Sequence, residues 1–139
     1  NADVGFNKAV EQLGMKGTLG DSIADTAKGF VYHQKVARDR GLKLVAYEGG
    51  QHIVGSQGLE NNEKLTNFYI KLNQRPEMNG VYTELLNQWK GADGTLFMHF
   101  NDIGQPSKWG SWGALESVEQ SRSPKYDALI NFIQQNRLR

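Results

Sequence analysis

Apolar residues recur along this chain first at helical spacing, then in short continuous runs, and the two patterns alternate. Phe6, Val10 and Leu13 share one helical face, and Gly14 follows as the stop. Gly17 and Gly20 fit a loop. Asp21 or Ser22 supplies a side-chain oxygen to cap the next helix, whose apolar face holds Ile23, Ala27, Phe30, Val31 and Ala37. Lys28, Lys35, Arg38 and Arg40 lie largely off that face, and the basic residues near the end suit the helix dipole before Gly41 stops it.

The run 42–47, Leu-Lys-Leu-Val-Ala-Tyr, is short, mostly apolar and β-favouring, so it reads as a strand covered on both faces. Gly49, Gly50, Gly55 and Gly58 then make a flexible loop. A helix follows from Asn61 or Asn62, carrying Leu65, Phe68, Tyr69 and Leu72. Pro76 must break it, because a mid-helix proline loses a hydrogen bond and clashes. The helical pattern resumes at Val81, Tyr82, Leu85, Leu86 and Trp89 as far as Gly91. The run 95–100 is a second compact apolar strand. Residues 101–123 are rich in Gly, Ser and Trp and too structured in composition for a linker. Pro124 opens a last helix bearing Tyr126, Leu129, Ile130 and Ile133. Strands alternating with helices in this order predict βαβ units and a parallel sheet in a single α/β domain over 1–139.

Composition narrows the function. With 139 residues, 38% hydrophobic and 22% charged, the chain can bury a real core. A net charge of +1 gives no electrostatic reason to expect nucleic acid or a charged membrane. No apolar run is long enough to cross a bilayer. The absence of cysteine removes disulfides, thiolate nucleophiles and cysteine metal sites. The amino terminus has no initiator Met and no basic or apolar stretch, so no signal peptide is expected and the chain reads as a fragment excised from something longer.

In parallel α/β folds the chemistry sits after the carboxyl ends of the strands. The first strand ends in Glu48, flanked by Gly49, Gly50, Gln51 and His52. A carboxylate at a strand end is either a nucleophile or acid/base group, or a structural group bonding loop amides. The second ends in Asn101 and Asp102, followed by Trp109 and Trp112 on a glycine-rich segment. Their indoles offer flat faces for sugar rings, or they pack on the last helix. His52 is placed to orient a substrate hydroxyl, whereas His99, inside a strand, reads as a hydrogen-bonded core residue. No HExxH spacing, GxGxxG or Walker A pattern occurs, so neither metal nor cofactor is expected. Ser56 and Ser111 lack a nucleophile-elbow context.

The runs KLVAYEGGQH (43–52), NQRPEMNGVYTELLNQWK (73–90), GTLFMHFNDIG (94–104), KWGSWGALES (108–117) and SPKYDAL (123–129) resemble the carboxyl-terminal part of clan-A-like glycoside hydrolases. More narrowly, they are similar to bacterial carbohydrate-active proteins carrying cellulose-binding modules. The resemblance implies the last quarter to half of a (β/α)8 barrel, with 42–47 and 95–100 as its seventh and eighth strands. It also implies Glu48 as the nucleophile, Trp109 or Trp112 as the aromatic lining the sugar site, and a secreted or periplasmic parent. With the strand-end reading, the expected substrate-binding residues are His52, Asn101, Asp102, Trp109 and Trp112. The acid/base partner belongs on a fourth strand that this chain lacks, since a full barrel needs about 250 residues. Glu116 and Asp102 match no such role. The expected function is therefore a glycosidase-derived domain that acts on or binds poly- or oligosaccharide. A non-catalytic carbohydrate-binding or structural fragment is the alternative. Open barrel edges also predict a homo-oligomer or a rearranged fold.

Overall fold

The computed structural model describes residues 2–137. Five helices and two strands follow one another: α1 (Ala2–Leu13), α2 (Ile23–Arg38), β1 (Val45–Gly49), α3 (Glu63–Gln74), α4 (Glu77–Gly91), β2 (Leu96–His99) and α5 (Pro124–Gln135). Local chemistry explains the helix ends. Ser22, in an extended conformation, accepts the amide of Asp25 at the start of α2. Asn62 accepts that of Leu65 at α3, and Ser123 that of Tyr126 at α5, with Pro124 in the first turn. Arg75 is extended (ψ 146°), as the residue before a proline prefers, so α3 ends there and α4 starts beyond Pro76. Gly41 takes a φ of +66° after α2, a conformation that glycine adopts without strain.

α4 is the centre of the packing and touches α1, α2, α3 and α5. Its buried stripe of Met78, Val81, Tyr82, Leu85, Leu86 and Trp89 follows the helical period. Ile23 and Ala128 complete the core cluster, with Val10, Leu13, Phe30, Ile53, Phe97 and Leu129 packed against it. Trp89 meets Phe30 and Phe97 edge-on, with ring centroids 5.1 and 5.7 Å away. Large side chains that lose all contact with water here, such as Leu72 and Met78, each contribute about 1.5–3 kcal/mol.

β1 and β2 pair in parallel, with Val45 opposite Leu96, Ala46 opposite Phe97 and Gly49 opposite His99. Two residues of β1, Tyr47 and Glu48, therefore lie against the single Met98, which makes a bulge. One sheet face is covered through Ala46, Phe97 and His99. The other is open: Val45 is 51% exposed, Tyr47 81%, Leu96 54% and Met98 52%.

This corrects the expected architecture. The strands run 45–49 and 96–99 rather than 42–47 and 95–100, and only one of their faces is covered. A barrel portion needs successive strands curving around a filled interior. Two strands with five helices are α/β only in a loose sense and too small to form part of such a barrel. The misreading has a simple cause: the open face carries Val, Tyr, Leu and Met, so the in-out alternation is hidden inside a continuous apolar run.

Residues 101–123 form an ordered loop. The amide of Asn101 donates to the Trp112 carbonyl, and the Asn101 carbonyl accepts from Ala114. Leu115 N–H donates to Asp102, and Gly104 N–H to Leu115. A side chain at Gly113 would sit 2.2 Å from the Leu115 carbonyl oxygen and 2.5 Å from the Gly104 nitrogen, so only glycine fits that crossing. The Phe100–Asn101 peptide is cis.

Candidate functional site

The carboxyl ends of both strands open on one cavity of about 390 Å³, lined by Glu48, Gly49, Gly50, Gln51, His52, Phe100 and Trp112. The bulge turns Glu48 out of the covered face, and its carboxylate is exposed with no hydrogen bond or ion pair among the described residues. A Cβ on Gly49 would lie 2.3 Å from the Phe97 ring, so the backbone beside Glu48 runs against the core with no room for a side chain.

The opposite wall is held in place by hydrogen bonds. Gln51 Nε2 donates to the Ser111 carbonyl at 2.8 Å, and Gln51 Oε1 accepts the Ile53 amide at 2.9 Å. His52 Nε2 donates to the Trp109 carbonyl at 3.0 Å. The His52 ring lies 5.5 Å from the half-buried Trp112 ring, and Phe100 meets Trp112 edge-on at 5.9 Å. Trp112 is thus a fixed apolar wall, while Trp109 is 61% exposed at the tip of a Ser107–Gly110 turn. The site presents one unpaired carboxylate, one imidazole with its outer nitrogen committed, and an aromatic wall. Such a set can accept hydrogen bonds from hydroxyls and stack on a ring.

Compared with protein-family models, with curated proteins and with solved structures, the chain matches none.

The residues singled out from the sequence divide into three groups. Glu48, His52 and Trp112 line the cavity together, and Trp109 adjoins it through the His52 bond. Asn101 supports the Trp112 segment through its backbone, and its side-chain oxygen is buried without a partner among the described residues. Asp102 lines a different, larger and mostly apolar cavity of about 760 Å³ between β2 and α5. Among the described residues no three His, Cys, Asp or Glu side chains are grouped to hold a metal ion. Nor is any described helix long and apolar enough to cross a membrane.

Three residues with a part in the site escape the sequence. Gln51 and Phe100 line it but carry no chemical signature. Lys125 is 4% exposed, and its Nζ donates to the Ser111 carbonyl at 2.6 Å and to Asn73 Oδ1 at 3.4 Å. Burial pushes its ammonium down to about 8, against which the Glu116 charge acts weakly. Ser111 therefore accepts from both Gln51 and Lys125, which ties the tryptophan segment to α5 and to the loop after β1. A lysine after Ser-Pro ordinarily reads as exposed, so no sequence signal marks it.

His99 is half-buried and lines the larger cavity instead of joining the core cluster expected from its strand position. Its Nε2 lies 3.2 Å from the Tyr82 hydroxyl. Burial, with the Lys125 charge adding to it, pushes the imidazole down to about 4, while burial pushes the Tyr82 phenol up to about 12.

Proposed function

We propose that the Glu48 cavity is a carbohydrate-binding site in a glycoside-hydrolase-derived chain, with Glu48 at the position of the nucleophile. The observation that carries this reading is the unpaired state of the Glu48 carboxylate. A carboxylate kept to tie down its loop would accept loop amides or face a cation, and Glu48 does neither among the described residues. Its neighbours suit a sugar: Trp112 and Phe100 offer apolar faces to ring C–H groups, and Glu48 accepts from hydroxyls. The runs YEGGQH and WGSWGALE, which resemble glycoside hydrolases, supply Glu48 and Trp112.

Hydrolysis by the retaining route needs two carboxyl groups about 5 Å apart, one attacking the anomeric carbon and one protonating the leaving oxygen. No second carboxylate lines the Glu48 cavity among the described residues. The chain by itself therefore binds sugar without cleaving it, and turnover requires an acid from outside these residues. The open apolar sheet face and the free edges of β1 and β2 favour self-association as a homo-oligomer.

The test is calorimetric titration with a panel of β-linked gluco-, xylo-, manno- and galacto-oligosaccharides. Binding by at least one, weakened about tenfold or more in Trp112→Ala, is expected. A mechanism-based fluoroglycoside that labels Glu48 would show it acting as a nucleophile. No binding across the panel would sink the proposal.

A further inference from the structure

A third cavity of about 430 Å³ opens beside Lys108, and its lining is polar: Glu60, Asn61, Glu63, Thr66, Asn67 and Lys108 face it. Its volume falls within the ordinary range for small-ligand sites. Lys108 is the link. It sits in the Ser107–Gly110 turn, where Ser107 and Gly110 exchange backbone hydrogen bonds and Ser107 Oγ accepts the Trp109 amide at 3.1 Å. Its ammonium lies 4.6 Å from the Trp109 ring centroid and donates to Asn61 Oδ1 at 2.7 Å. The lysine is thereby held between the exposed indole and the loop before α3. Glu60 is fixed as well. Hydrogen bonds from backbone amides, its own and that of Gly58, hold its carboxyl below the usual carboxylate range, so it remains an acceptor.

These contacts form an unbroken path. Trp112 packs on His52, His52 bonds the Trp109 carbonyl, Trp109 carries Lys108 over its ring, and Lys108 reaches Asn61. An exposed tryptophan on a tight turn, joined through His52 to one cavity and through Lys108 to the other, suits a ligand longer than one sugar ring. We propose that the Asn61–Lys108 cavity is a second sugar subsite, so that the ligand is an oligosaccharide running from the Glu48 cavity across Trp109. The inference rests on the carbohydrate reading of the Glu48 cavity and adds the length of the ligand and the residues that recognise it. Lys108 Nζ and the Asn61 amide donate to hydroxyls of the distal sugar, and Glu60 accepts from one.

Calorimetric titration with the series from glucose to cellohexaose tests it on the full chain. Affinity is expected to rise about tenfold from cellobiose to the longer members. Lys108→Ala and, separately, Asn61→Ala should abolish that rise and leave cellobiose affinity within about twofold. Both positions are at the surface, and matching thermal melts of the variants would show that the fold is retained. Equal affinity for short and long ligands, or a length dependence that survives both substitutions, overturns the second subsite while leaving the Glu48 site standing. No binding of any cello-oligosaccharide overturns the second subsite, and no binding across the full panel overturns both.

Discussion

Lys125 gives the sharpest physical prediction, because burial moves its titration into an accessible range. In the unfolded chain the ammonium titrates near its ordinary 10.5, and in the folded protein at about 8. Between those values the unfolded state holds more protons than the folded one, so stability must rise with pH across the window. Integrating the two titrations from pH 8 to pH 10 gives a gain of about 2 kcal/mol. The groups around the ammonium are the Ser111 carbonyl, the Asn73 amide oxygen and, less directly, the Glu116 carboxylate. Above about pH 10 Tyr82 acts the other way, since its folded-state value of about 12 lies above that of the unfolded chain. The assay is urea denaturation at intervals from pH 7 to pH 11, with Lys125→Met as the control. Wild type should gain stability up to about pH 10 and then lose it, and the methionine variant should show no rise. A flat wild-type profile, or a rise that persists in Lys125→Met, would refute the burial argument.

His99 sets the acid limit. Its folded-state value of about 4 lies below the ordinary 6.5, so its contribution is complete above pH 6.5 and is lost as pH falls towards 4; His99→Gln should flatten that part of a denaturation profile. Gly49→Ala drives a methyl group into the Phe97 ring and should cost about 1–3 kcal/mol in a denaturant melt, against no change if the strand can shift. On the open sheet face, Tyr47→Lys should move the sedimentation profile from oligomer towards monomer, and a monomeric wild type would remove the case for self-association.

Helices were readable from the sequence because their signals are local. Ser22, Asn62 and Ser123 cap where an oxygen-bearing side chain precedes an apolar period, and Pro76 separates α3 from α4 by its own geometry. The sheet was harder to read. Whether Tyr47 and Met98 face a core or solvent depends on what packs across the strands, and residue type does not record that. The bulge that turns Glu48 outward arises from pairing between β1 and β2, a long-range property with no local mark. The same limit separates Asn101 from Asp102. Adjacent in sequence, one supports the Trp112 segment while the other faces the far cavity. Lys125 escaped because its burial is created by Asn73 and the Ser111 carbonyl, each remote in the chain. Glu48, His52 and Trp112, expected from residue chemistry after the strand ends, line one cavity together.

Sugar entry into the Glu48 cavity is what the proposed function requires above all. The direct measurement is an amide and indole NMR titration with the same panel of β-linked oligosaccharides. Perturbations concentrated on Gly49, Gly50, Gln51, His52 and the Trp112 indole, and lost in Trp112→Ala, are the predicted result. An unchanged spectrum, or perturbations confined to surfaces away from these residues, would contradict it.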